Sequence, residues 1–208
     1  MSKVLITEEI LTNIANAIRS KHPGFSSSIK PIQMANKISD IPNSIIIPSG
    51  VSISFRNSAS GINLEDFVSK CDFSNMTDFS STFAQTNIVT LPSIDTSNGT
   101  SFGSIFDYDG MFAGCTHLEN FPILDMTNAT IIGGMFRYKP GPLSSYETCC
   151  TSLTNDSLNN IMASLLTMQK YTGEKTLNYI GLTQTQATTC QGLSNWTALS
   201  NAGWTTGY

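Results

Sequence analysis

The stretch DFSNMTDFSSTF (72–83) is written twice more, as DTSNGTSFGSIF (95–106) and DMTNATIIGGMF (125–136), and this repetition decides how the chain folds. Each copy places Asn three residues after its Asp (Asn75, Asn98, Asn128) and Thr at plus five (Thr77, Thr100, Thr130). An apolar residue follows at plus seven (Phe79, Phe102, Ile132) and Phe at plus eleven (Phe83, Phe106, Phe136). Four positions kept in register three times are not chance. Matching runs, IVTLPSI (88–94) and LENFPIL (118–124), precede the second and third copies, and the copies begin 23 and then 30 residues apart. Such a spacing belongs to stacked repeats.

The spacings predict the local structure. Residues at plus seven and plus eleven are i and i+4, so they share one face of a short helix. The Asn and Thr just before them suit a capped turn, because short polar side chains take up free backbone N–H groups. The apolar residues before each Asp read as a short extended rung, which Pro92 and Pro122 keep very short because proline donates no ladder hydrogen bond. One rung cannot bury its face alone, whereas stacked rungs share a continuous core. The expected inward set includes Phe83, Leu91, Ile94, Phe102, Phe106, Phe112, Phe121, Leu124 and Phe136.

The phrases LPSIDTSNGTSF (91–102) and MFAGCTHLENFPILDMTNAT (111–130) resemble the leucine-rich repeats of BspA-type bacterial surface proteins. The resemblance implies an α/β solenoid, a short leucine-rich-repeat-like stack with a C-terminal helix-strand-helix cap. Members of that class include adhesins and phage tail proteins, so it implies binding and not a chemistry.

Outward from the repeats, ASGINLEDFVSKC (59–71) reads as a degenerate first rung with Leu64, Phe67, Val68 and Cys71 inward. IIIPSGVSISF (45–55) reads as two β-branched strands around Pro48-Ser49-Gly50. After Phe136 the phrase breaks into RYKPGPLSSYETCC (137–150), a loop bounded by Pro and Gly. Leu158, Ile161, Met162, Leu165 and Leu166 mark an amphipathic helix begun near Asn155 and Asp156. KTLNYIGL (175–182) reads as a strand and last rung, and Thr183 with Gln186 as the capping box of a final helix. Leu199 and Trp204 are expected to cover the open end.

Before the repeats, Thr7 caps a predicted helix with Ile10, Ile14, Ala17 and Ile18 on one stripe, ended by Pro23-Gly24. A second predicted helix begins at Pro31 and ends before Pro42. Together ILTNIANAIRSK (10–21) and IKPIQMANKISDI (29–41) are similar to an N-terminal module of tail and baseplate proteins of phages of Gram-positive bacteria. The expected organisation is a helical attachment module over 1–43 and a leucine-rich-repeat-like domain over 44–208, with repeats at about 62–136 and a cap at about 151–208. A plain helical hairpin capping the stack is the alternative for the first segment.

Composition narrows the function. Hydrophobic residues make up 40% of the 208-residue chain, enough for a core. Only 12% are charged and the net charge is −4, so no basic surface invites nucleic acid. No apolar run reaches signal-peptide or membrane-spanning length, and the expectation is a protein made in a host cytoplasm without membrane insertion. Five cysteines and two histidines lack metal-ligand spacing. No nucleophile elbow, zinc-protease helix or phosphate loop occurs. Asp107 and Asp109 open a D-x-D-G that resembles part of a calcium loop, but the third ligand and the spaced Glu are missing. The sequence therefore implies no enzyme, no cofactor and no metal.

The expected role is a phage virion protein of the tail, baseplate or tail-fibre type involved in host-surface recognition. The alternative is a BspA-like bacterial adhesin or interaction module outside a virion. Expected partners are other virion proteins through residues 1–42, further copies of the chain, and a host surface polysaccharide or protein. Binding residues of a stack lie where the period breaks. That places the candidates on the inserted DYDGMF (107–112) and on the next loop: Asp107, Tyr108, Asp109, Tyr138 and Lys139. Tyrosine offers an apolar face with a hydroxyl, and carboxylates accept sugar hydroxyls.

Overall fold

The computed structural model describes residues 45–48, 50–56, 63–104, 110–139 and 148–208. These lie within one unit, Ser44–Tyr208. The module expected over 1–43 falls outside the described residues. The elements in chain order are β1 (Ile45–Ile46), α1 (Leu64–Val68), β2 (Cys71–Asp72), β3 (Arg137–Tyr138), β4 (Thr148–Cys149), α2 (Asn155–Leu166), α3 (Gln184–Cys190) and α4 (Trp196–Asn201).

The three phrase copies, rungs 1 to 3, pair in parallel at the same phrase position: Asp78 with Ser101 and Ser101 with Ile131. The runs before them pair likewise, Thr90 with Asn120. Between rungs the polar side chains of the phrase run from copy to copy. Asn98 Nδ2 donates to Ser74 O at 2.8 Å and Asn128 Nδ2 to Ser97 O at 2.7 Å. Thr100 Oγ1 donates to Thr77 O at 3.0 Å and Thr130 Oγ1 to Thr100 O at 3.1 Å. Asp72, Asp95 and Asp125 each accept the N–H two residues on, at 2.9–3.0 Å, which closes the turn that starts the rung. The exposed letters of the phrase are thus the hydrogen bonds that set the register.

The buried letters form the core. Phe79 stacks on Phe102 with centroids 5.3 Å apart and planes 3° apart. A second column runs Phe55, Phe83, Phe112, Phe136 with centroid steps of 5.4, 5.4 and 5.7 Å. Phe121 meets Phe112 and Phe136 edge-on at 5.4 and 5.5 Å. Stacked and edge-on pairs add about 0.5 to 1.5 kcal/mol each beyond their burial.

Several expectations are corrected. In the first and third copies the expected short helix is replaced by chained turns, in which Thr82 N–H donates to Phe79 O and Met135 N–H to Ile132 O, both at 3.2 Å. The amides that a helix would use internally reach the next rung: Phe83 N–H donates to Met111 O at 2.9 Å and Phe112 N–H to Met135 O at 2.8 Å. Ser81 (φ 57°) and Gly134 (φ 62°), both nine residues after the Asp, also turn the chain the wrong way for a helix. In rung 2 the column position belongs to Phe112, while Phe106 lies outside the described residues. Met111 N–H donates to Phe102 O at 2.9 Å, so the chain is back on rung 2 at Met111.

At the N-terminal end Val51 N–H donates to Pro48 O at 3.3 Å at the expected turn, but of the two expected strands only β1 forms among the described residues. β1 instead pairs in parallel with β2, Ile45 opposite Cys71, and Phe55 joins the ring column with its N–H on Thr82 O at 2.7 Å. Residues 45–55 are thus themselves a rung. α1, expected as a rung, is a helix capped by Asn63, whose side chain accepts from Asp66 N–H. Its Leu64 and Val68 are buried, but Phe67 is 38% exposed rather than inward.

At the other end α2 does the work of a further rung. Leu91 N–H of rung 2 donates to Asn120 O of rung 3 at 2.9 Å, but rung 3 has no copy beyond it. Its N–H groups donate to α2 side chains instead: Phe121 to Ser157 Oγ at 2.8 Å, Leu124 to Ser164 Oγ at 2.9 Å and Met126 to Thr167 Oγ1 at 2.8 Å. Asn160 Nδ2 donates to Phe121 O at 2.9 Å. Residues 157, 160, 164 and 167 recur at three and four, one face of a helix. The segment read as a strand, 175–182, makes one bridge, Thr176 with Thr205, and otherwise turns. Its Tyr179 and Ile180 carbonyls still accept from Gly134 and Phe136 of rung 3 at 2.8 and 2.9 Å. The cap is therefore helix, turn, helix, helix, and α2 packs against both α3 and α4. α3 carries the Thr183–Gln186 capping box, and Leu199 and Trp204 are buried.

One core position is mismatched. Thr82 is fully buried where rungs 2 and 3 carry Met111 and Met135, and its Oγ1 has no hydrogen-bond partner. A buried unpaired hydroxyl costs about 1 to 3 kcal/mol. Thr82→Val, which keeps the shape, should raise stability by about 1 kcal/mol in urea denaturation; a loss would mean that the hydroxyl is satisfied.

Candidate ligand-binding edge

The positions just after the ring column form one edge of the stack. Arg56 follows Phe55, Gln85 lies two residues after Phe83, Gly114 two after Phe112 and Tyr138 two after Phe136. Gln85 (φ 56°) and Gly114 (φ 74°) are left-handed at equivalent places, so the main chain makes the same bend on both rungs. Tyr138 is held by β3, which pairs antiparallel with β4, Tyr138 opposite Thr148.

Gly114 brings these side chains together across a rung. A Cβ there would sit 3.2 Å from Gln85 Cγ and 3.3 Å from Tyr138 Cβ, so glycine leaves the space in which they approach. Arg56 Nε donates to Gln85 Oε1 at 2.9 Å, and its guanidinium carbon lies 5.5 Å from the centroid of the Tyr138 ring. A cation over an aromatic face contributes about 0.5 to 1 kcal/mol at a partly exposed site. All three side chains are half-buried, as is Lys139 beyond β3.

Of the five candidates from the sequence, Tyr138 and Lys139 therefore lie on this edge. Asp107, Tyr108 and Asp109 lie outside the described residues. Arg56 and Gln85 carry no signal in the sequence as long as IIIPSGVSISF reads as strands and Phe55 is not in the ring column. Had it been placed in the column with Phe83 and Phe136, the residues after it would have fallen in line. Arg56 also covers one face of Tyr138, so that face is not an open platform for a sugar ring. What the edge offers is a guanidinium, an amide and a phenol, groups that hydrogen-bond hydroxyl-rich ligands.

The remaining titratable groups have structural roles. Among the described residues no group of three or more His, Cys, Asp or Glu could hold a metal ion. No helix among them is long and apolar enough to cross a membrane. Cys71, Cys115, Cys150 and Cys190 are free thiols. Burial pushes Cys190 up to about 11 and Cys150 well above the usual range. Cys115 Sγ and Cys150 Sγ donate to Phe83 O at 2.8 Å and Phe112 O at 3.1 Å. His117 is exposed, with Thr116 Oγ1 3.2 Å from its Nδ1.

Two turn carboxylates, Asp72 and Asp125, are shifted the other way. Hydrogen bonds from the Ser74 side chain and backbone hold Asp72 below the usual 3.8, and those from Thr127 do the same for Asp125. A carboxylate with a depressed folded pKa stabilises above the unfolded value, and that contribution fades as pH falls through the folded one. Acidification from about pH 5 to about pH 2 should therefore lower the urea midpoint, and Asp125→Asn should blunt the fall. An unchanged acid profile in that variant would remove the turn from the account.

Compared with known proteins, the chain matches no family model, no curated protein and no solved structure.

Proposed function

We propose that the chain carries a short leucine-rich-repeat-like solenoid and serves as a virion protein of a phage tail, baseplate or tail fibre, where it contributes to recognition of the host surface. The observation that carries this reading is the in-register stacking of the D-x-x-N-x-T phrase, because the resemblance to BspA-type repeats rests on that phrase. Every letter of it has a part in the stack, with Asn and Thr bonding the previous rung and the apolar positions filling the core. A rigid stack with an outer face of Asn, Ser and Thr suits contact with hydrated polymers. In this reading residues 1–42 attach the chain to neighbouring virion proteins or to further copies of itself. Loop and edge residues Asp107, Tyr108, Asp109, Tyr138 and Lys139 meet a surface polysaccharide or protein.

Mass spectrometry of purified particles should find the chain at stoichiometric amounts. Its absence from particles, with presence on a bacterial surface, would replace this reading by that of an adhesin. Binding to host cell walls should fall in a Tyr108→Ala, Asp109→Ala double variant whose melting is unchanged. Equal binding would remove that loop from the site.

A further inference from the structure

Rung 2 contains the one Asn-Gly pair of the three phrases, Asn98-Gly99, where rungs 1 and 3 have Asn75-Met76 and Asn128-Ala129. In a flexible chain this dipeptide is prone to rearrange, because glycine has no Cβ to hinder attack by its own amide nitrogen on the preceding side chain. That nitrogen loses its proton to hydroxide and bonds to Asn98 Cγ. The Cγ–Nδ2 bond breaks and ammonia leaves. Water then opens the resulting cyclic imide, giving either an aspartate or an isoaspartate, the latter with one extra carbon in the main chain.

The fold withholds each requirement of this reaction. Gly99 N–H donates to Thr96 O at 2.8 Å, and Gly99 is buried, out of reach of hydroxide. Asn98 Nδ2, the leaving group, donates to Ser74 O of rung 1 at 2.8 Å, which holds the carboxamide along the stack. Glycine is nevertheless required here. A Cβ at 99 would lie 2.5 Å from Cζ of the Phe102 ring and 2.9 Å from Thr96 O. At the corresponding place rung 1 has Met76 and rung 3 has Ala129, both buried. On this rung the Phe102 ring fills the space that a Cβ at 99 would need, and the closed stack keeps the reactive dipeptide silent.

We infer that Asn98-Gly99 is a modification site gated by folding: it converts only when rung 2 opens, and isoaspartate at position 98 then prevents the rung from closing again. The extra main-chain carbon displaces Gly99 from its place against Phe102, and the loss of Nδ2 removes the bond to Ser74. A transient opening becomes a permanent one, and the site records how often the stack has opened.

The test follows the full chain at about pH 8 in native buffer, in sub-denaturing urea and in denaturing urea, by peptide mass mapping and isoaspartyl methyltransferase labelling. In denaturant position 98 should convert well ahead of positions 75 and 128. In native buffer its conversion should be slower by roughly two orders of magnitude or more, as for any reaction that waits on opening of a buried unit. Sub-denaturing urea should raise the rate steadily. Native and denatured rates within about threefold of each other would overturn the gating, as would a native rate indifferent to urea. Recovery of the unmodified melting temperature by chains carrying isoaspartate would overturn the failure to re-close.

Discussion

Phe112→Ala is expected to lower stability by about 3 to 5 kcal/mol, the cost of deleting a buried aromatic and leaving a cavity that its neighbours cannot fill. Phe112 is fully buried and is the ring on which two directions of packing meet. Along the stack it lies between Phe83 and Phe136, and across it Phe121 meets it edge-on. Those neighbours are held by inter-rung hydrogen bonds on both sides, Phe83 N–H to Met111 O and Phe136 N–H to Ile180 O, which limits collapse into the gap. Urea denaturation measures the effect. A loss under about 1 kcal/mol would put Phe112 outside the column and return Phe106 to it.

Gly103→Ala is expected to cost as much or more, for the opposite reason. A Cβ at 103 would lie 2.3 Å from the carbonyl carbon of Ile132 and 2.4 Å from Gly133 O, main-chain atoms that cannot swing aside. Relief would require rungs 2 and 3 to part where Phe102 N–H donates to Ile131 O and Ser104 N–H to Gly133 O, both at 2.8 Å. Overpacking of this kind typically costs 1 to 3 kcal/mol, and more where the obstacle is backbone; about 3 kcal/mol or above is expected here. Gly192→Ala is the comparison, since its nearest neighbour would be Thr189 O at 3.6 Å, and it should change stability by less than about 0.5 kcal/mol. Equal effects in the two variants would mean that the close approach of rungs 2 and 3 at Gly103 is not present in solution.

What the sequence disclosed depended on repetition. Asn98 and Asn128 could be marked as structural because the same residue recurs in the same place, but instead of capping free N–H groups their Nδ2 atoms donate to carbonyls of the previous rung; the buried columns could be read from the same recurrence. Repetition gave less guidance in the second copy. Two phenylalanines, Phe106 and Phe112, compete for one column position, and only the partners on the adjoining rungs decide between them. Local spacing also misled at the ends of the copies, since i and i+4 imply a helix only when the amides between them are free to bond within the segment. Here they bond across the stack. The candidate edge was legible at Tyr138, which stands at an evident break in period, and hidden at Arg56, whose rung has none of the phrase's letters.

The hydroxyl row of α2 has a consequence for how such a chain can change its length. Ser157, Ser164 and Thr167 bond only to the third copy, and the first copy alone receives β1 and Phe55. Neither terminus contacts the junction between the first and second copies through these groups, and that junction is made of bonds that each copy can both give and accept. A unit duplicated or lost at that junction would leave those bonds in place, but it would carry Arg56, next to Phe55, away from the Tyr138 ring beyond the third copy. The Arg56–Tyr138 contact thus closes the edge over a set number of rungs, which the bonds at the two ends alone do not fix.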